Sequence, residues 1–272
     1  MSNQENAGCN MFPYFKILGY EIPTYLLCAL FGIICALTLA MVRAGSPHFY
    51  THRKDVFYAV LCAFIGALTG AKAFQLIGYV LRDGGKAGFW TMEHWRQMLS
   101  GVGVFYGGLI GGACVVLLYV YTSKLDLWEM ADILIPPVLL FHVFGRIGCF
   151  CAGCCYGIEA KWGVALFEAI NAPDGVPLIP VQLLEAFFNL LILVVFLIKR
   201  PERRCKGILL PFYLILYAIG RFVLEFYRGD AGRGVFLLSV SQWISLLVLP
   251  VGMILLHLVR KKNLRQTGMP VL

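Results

Sequence analysis

Arg146 stands inside Phe141-His142-Val143-Phe144-Gly145-Arg146-Ile147-Gly148-Cys149-Phe150, and Arg221 inside the apolar run from Leu209 to Phe226. A guanidinium stays charged, and one placed at the centre of a bilayer costs about 2.5–3.5 kcal/mol on insertion scales. Two such cations at membrane depth call for an anion. If they converge, their planar forks can hold a phosphodiester bidentately, which a lysine ammonium cannot copy. His142 precedes Arg146 by four residues and Arg221 precedes Glu225 by four, so each pair shares a helical face. The second pair also reads as a structural ion pair, whereas Arg146 has no carboxylate within four positions on its own helix. Gln182 and Glu185, at i and i+3, share another face, where polar groups need partners. Lys72 is either a further phosphate contact or a partner for a carboxylate such as Glu185.

The elements that must carry these residues are membrane helices. Hydrophobic residues make up 60% of the chain and charged residues only 14%, and the mean hydropathy is +0.77. Spanning about 30 Å of hydrocarbon takes about 20 helical residues. Seven stretches are expected to span: 25–42, 56–79, 102–121, 133–150, 181–198, 209–226 and 235–258. The net charge of +8 follows membrane topology rather than nucleic acid, since little chain is left for a basic soluble face. Outside the spans, one alternate set of loops with the C-terminal tail holds 13 Lys and Arg, and the other set with the N-terminal tail holds 7. The positive-inside rule then sets the N-terminus outside and the C-terminus in the cytoplasm. Met1 to Asn10 lacks the basic and apolar regions of a signal peptide, so no removable one is expected.

No internal repeat or Ser- or Pro-rich linker interrupts the chain, which is read as one helical membrane domain over residues 1–272. The longer connections, Arg82–Ser100 and Gly153–Pro180, are expected to form small elements on the outer face. Gly103, Gly107 and Gly111 recur every four residues, as do Gly108 and Gly112, which is the spacing of a close helix-packing seam. Packing does not account for Tyr106, whose hydroxyl needs a partner at that depth. Scattered cysteines such as Cys28, Cys35, Cys62 and Cys114 read as small apolar filler. Cys149, Cys151, Cys154 and Cys155 are different: four thiols in seven residues suit a disulfide or packing role first, then thiol redox, then a metal. The single knuckle lacks the second ligand pair of a structural zinc site.

Three separated segments together resemble the prolipoprotein diacylglyceryl transferase family. They are Gly145-Arg146-Ile147-Gly148-Cys149-Phe150 with Gly153 and Gly157, Tyr217 to Arg228 around Gly220-Arg221-Phe222, and Phe105-Tyr106-Gly107-Gly108-Leu109-Ile110-Gly111. Ile22-Pro23-Thr24-Tyr25 and Pro180-Val181-Gln182-Leu183-Leu184-Glu185 match two further family segments, so the likeness covers nearly the whole chain.

The resemblance implies an enzyme of the bacterial plasma membrane that takes phosphatidylglycerol. It transfers the diacylglyceryl group to the lipobox cysteine thiol of a prolipoprotein signal peptide and releases glycerol phosphate. The catalytic residues would be Arg146, Arg221 and Tyr106, with Tyr25, His142, Gly148, Gly157, Gln182, Glu185 and Glu225 around the substrate. No cofactor, metal or nucleic acid is implied; the partners are the lipid, the signal peptide and membrane lipids. The chain also departs from the family pattern. Tyr106 stands where a histidine is usual, Cys149 for an asparagine, Cys154 for a glutamate, Ile179 for a histidine and Lys72 for an arginine. The phosphate-gripping core is retained better than the thiol-activating groups. A tyrosine, with a reference pKa near about 10, is a poor base at neutral pH and serves better to orient the headgroup or thiol. The alternatives are a divergent paralogue with another acceptor and a membrane thiol oxidoreductase.

Overall fold

The computed structural model describes residues 8–17, 20–83, 91–92, 105–199, 206–230 and 235–267. Among these are seven α-helices: α1 Thr24–Ala44, α2 Arg53–Asp83, α3 Phe105–Thr122, α4 Leu127–Ala152, α5 Val181–Ile198, α6 Leu209–Leu224 and α7 Val240–Thr267. All but α3 lie in segments long and apolar enough to cross a membrane, α6 together with the turn after it; α3 is a shorter apolar helix. The many large apolar side chains left exposed along these helices, such as Leu81, Leu118, Phe187 and Ile254, are the surface expected of helices facing lipid.

The chain is not purely helical. β1 Gly8–Asn10, β4 Glu159–Phe167 and β5 Pro177–Leu178 form one small sheet in the order β1-β4-β5, with β1 parallel and β5 antiparallel to β4. β2 Tyr14–Ile17 pairs with β3 Tyr20–Pro23, and β6 Val235–Phe236 with β7 Leu238–Ser239. The last hairpin corrects the expected start of the final span at residue 235. Leu237 sits between its strands at φ 59°, a left-handed conformation that interrupts a helix, so α7 begins at Val240.

By packing, the chain divides into two compact units, residues 1–43 with 131–272, and residues 44–130. In the second unit α2 and α3 cross at their glycines. A Cβ on Gly70 would lie 2.4 Å from Gly107 O, and one on Gly111 2.3 Å from Gly66 O. The backbones are therefore close enough to exclude any side chain at these positions, as the glycine spacing predicts. Gly103 of the expected seam lies outside the described residues.

In the first unit, Ile135 and Leu139 of α4 pack with Ile192, Leu193 and Phe196 of α5 and Leu209 of α6. The start of α6 is anchored by Asp132 of α4, whose carboxylate accepts from Gly207 N at 2.6 Å and Leu209 N at 2.9 Å. This buried carboxylate satisfies amide donors that a helix start otherwise leaves orphaned. The three helices are thus fixed against one another, and their other ends carry the site.

Candidate active site

Three helices of the first unit, α4, α5 and α6, together with the turn after α6, bring charged side chains to one place. Glu185 of α5 sits at its centre with a side chain 2% exposed. Arg146 Nη2 from α4 lies 2.9 Å from Glu185 Oε1, and Arg221 Nη1 from α6 lies 3.1 Å from Oε2. One carboxylate therefore spans two guanidiniums that are 75 residues apart in sequence. Arg146 thus finds on the neighbouring helix the anion that its own helix lacks. Within its own unit Glu185 is partnered by the two arginines and His142. Lys72 Nζ in the other unit lies 3.5 Å from Gln75 Oε1.

His142 is one turn before Arg146 and receives a hydrogen bond from Arg146 Nε at 3.4 Å, with its Nε2 also 3.4 Å from Glu185 Oε1. The ring of Tyr217 stands 5.4 Å from the imidazole, tilted by 52° to it. At the far side, Arg221 Nη2 is 2.8 Å from Glu225 Oε2, which is the predicted i,i+4 pair, and donates to Ser241 Oγ of α7 at 3.0 Å. Arg228 continues the chain of charges, 3.8 Å from Glu225 and 2.6 Å from Asp230. Arg146, Arg221 and Arg228 face Glu185, Glu225 and Asp230, three guanidiniums against three carboxylates. Separating any member would leave a buried charge uncompensated.

The remaining predicted residues stand in different surroundings. Gln182, one turn before Glu185 and 1% exposed, donates from Nε2 to Cys154 O at 2.7 Å, and its Oε1 is buried with no hydrogen-bond partner among the described residues. Tyr25 opens α1 and packs on Gly148, where a Cβ would lie 3.2 Å from the Tyr25 ring. Gly157 is also a point of close backbone approach, but the approaching group is the protein's own: Ile179 O would be 2.4 Å from a Cβ there. Tyr106 lies in the first turn of α3, in the other unit, half-buried. Asp230 and Ser241 are contacts that the sequence did not single out. A serine at the head of an apolar helix carries no signal of a partner 20 residues earlier.

Beside Arg146, the thiols of Cys149, Cys154 and Cys155 lie within 4.8 Å of one another. Hydrogen bonds from Cys149 and Cys154, with Arg228 and Arg146 nearby, pull the Cys155 thiol below its ordinary pKa, whereas bonding to Cys149 and Cys155 pushes that of Cys154 up. None of the described cysteines of this cluster is in a disulfide.

Six helical segments apolar and long enough to cross a membrane define a polytopic membrane protein, here with a buried network of arginines and carboxylates. The family model described as Prolipoprotein diacylglyceryl transferase matches residues 13–258. The chain is 35% identical over 258 residues to the phosphatidylglycerol–prolipoprotein diacylglyceryl transferase 2 of Clostridium perfringens, covering 93% of this chain and 97% of the relative. It is 32% identical to the phosphatidylglycerol–prolipoprotein diacylglyceryl transferase of Clostridium tetani (90% and 96% covered). The like-named protein of Streptococcus sanguinis is 31% identical (89% and 93% covered). The chain belongs to the prolipoprotein diacylglyceryl transferase family.

Proposed function

We propose that this protein transfers the diacylglyceryl group of phosphatidylglycerol to the lipobox cysteine of a prolipoprotein, releasing glycerol phosphate. The observation that carries the reading is the convergence of Arg146 and Arg221, from separate helices, on the single carboxylate of Glu185. Glu185 acts as the positioning residue: it fixes both forks without using all their donors. Arg146 uses Nε toward His142 and Nη2 toward Glu185, and a guanidinium carries five N–H donors, so others serve a phosphate oxygen.

In this reaction the acceptor sulfur attacks the glyceryl methylene carbon that carries the phosphate ester oxygen. A carbon–sulfur bond forms, the carbon–oxygen bond breaks, and its electron pair leaves with the phosphate. Charge therefore builds on the phosphate oxygens in the transition state, where fixed guanidinium donors in a low-dielectric site stabilise it most. Gln182 Oε1 supplies an acceptor for a glycerol hydroxyl, Tyr25 borders the lipid, and Tyr106 orients the headgroup or thiol. We read the chain as seven spans acting as one membrane domain, with the N-terminus outside, the C-terminus cytoplasmic, and the small sheets on the outer face where the signal peptide arrives.

The test is direct. Purified protein with labelled phosphatidylglycerol and a lipobox peptide is expected to yield a thioether-linked diacylglyceryl peptide. Lipid turnover without peptide labelling would assign the same core to another acceptor, and neither product would overturn the reading.

A further inference from the structure

The three-thiol cluster is a built feature rather than a chance of sequence. Cys149 lies one turn from Arg146 near the end of α4. The chain then turns through Gly153, at φ +66°, and is held by Gly153 N donating to Phe150 O at 2.9 Å and Cys154 N donating to Cys149 O at 3.1 Å. Gln182 grips Cys154 O at 2.7 Å. Cys155 is at φ 57°, a left-handed conformation costly for a side chain other than glycine, and this bend accompanies the arrival of its sulfur beside the other two. A disulfide consumes two sulfurs and leaves the third without purpose. Three converging sulfurs match a metal.

We propose that Cys149, Cys154 and Cys155 bind one zinc ion and leave its fourth coordination position to the acceptor thiol. The proposal rests on the transferase reading given above. Zinc–thiolate bonds of about 2.3 Å in a tetrahedron set ligand sulfurs about 3.8 Å apart. The sulfurs, within 4.8 Å of one another, reach that spacing by small rotations. Three protein ligands with one open position is the arrangement of a catalytic rather than a structural zinc site. Zinc has no redox chemistry, so the thiols and the acceptor remain reduced. Arg146 and Arg228 both act electrostatically on Cys155, and they balance the net negative charge of a zinc tris-thiolate.

The chemistry joins directly to the transfer. A free cysteine, with a pKa of about 8.5, is mostly protonated at neutral pH, and the thiolate is the nucleophile. On coordination the acceptor sulfur displaces a zinc-bound water and loses its proton to solvent, because a thiol bound to zinc is deprotonated outright. Its remaining lone pair then forms the bond to the glyceryl carbon while the carbon–oxygen pair departs on the phosphate. The thioether product is a weak zinc ligand, water replaces it, and zinc stays divalent throughout. Arg146, on the same helix one turn from Cys149, would hold the leaving phosphate beside the activated sulfur.

Full-length protein, purified reduced, is loaded with zinc and separately with cobalt(II). We expect one zinc per chain by elemental analysis and a cobalt derivative with thiolate-to-metal charge transfer and intense tetrahedral bands. A lipobox peptide should shift these bands, and the same peptide with serine in place of cysteine should not. Cys155→Ser should weaken cobalt binding at least tenfold, while Cys151→Ser should not. Less than stoichiometric zinc, or a disulfide found in place of the thiols under these conditions, overturns the site. A cobalt spectrum indifferent to the peptide thiol overturns the open position and makes the metal structural. Failure here is separable from failure of the transferase reading. Transfer at full rate by metal-free protein would sink the zinc proposal alone, and a thiol-responsive cobalt site in a protein that turns over no lipid would sink the transferase alone.

Discussion

Two helix contacts in this protein are equally intimate and opposite in kind. The α2–α3 crossing is close because nothing is there: Gly66 and Gly70 meet Gly107 and Gly111, and any Cβ would strike backbone. At the α4–α5–α6 contact the closeness comes from full charges, with Glu185 gripping Arg146 and Arg221. Dispersion between bare backbones stabilises the first without specifying a ligand. The second gains little net stability, because removing ions from water offsets most of their attraction, so its retention points to use rather than support. The comparison separates a device for packing from a device for chemistry in one chain.

The largest effect should come from removing the shared anion. Glu185→Ala leaves Arg146 and Arg221 buried with one carboxylate fewer, and loss of one partner of a buried pair costs about 3–5 kcal/mol. A correspondingly lower thermal midpoint in detergent is expected; a midpoint equal to the wild type would mean that the charges are not coupled as described. Next in size, Arg146→Lys and Arg221→Lys keep the charge but lose the fork, and each should lower the transfer rate by about 100-fold to 1000-fold with membrane insertion intact. A near wild-type rate in either would return that arginine to a structural ion pair. Smaller again is Gly107→Val, whose Cβ would lie 2.5 Å from Phe74 Cβ; overpacking of this kind costs about 1–3 kcal/mol and should reduce folded yield. Folded Gly107→Val protein should keep its turnover, and a selective loss of turnover would erase the distinction between the two contacts.

The apolar runs make the helices legible because a membrane span is set by length and hydropathy alone, and the run near 181–198 is helical over Val181–Ile198. Arg146 and Arg221 stood out for the same reason, as charges where the solvent is hydrocarbon. Their bridging by Glu185 was not legible, since it depends on how three helices rotate about their axes, which no local spacing encodes. The cysteine cluster was visible as a run, but its membership was not: Cys155 joins through a left-handed backbone and Cys151 does not join. The strands other than β4, of two to four residues each, are too short to carry a period.

On the proposed function, Arg146 and Arg221 hold the lipid phosphate. Protein labelled with 15N at arginine guanidiniums, reconstituted with phosphatidylglycerol, permits a measurement of nitrogen–phosphorus dipolar coupling in the solid state. Strong coupling is expected in the wild type, reduced by Arg146→Lys or Arg221→Lys singly and lost when both are changed. Coupling that survives the double substitution, or none in a wild type that turns over lipid, would contradict it.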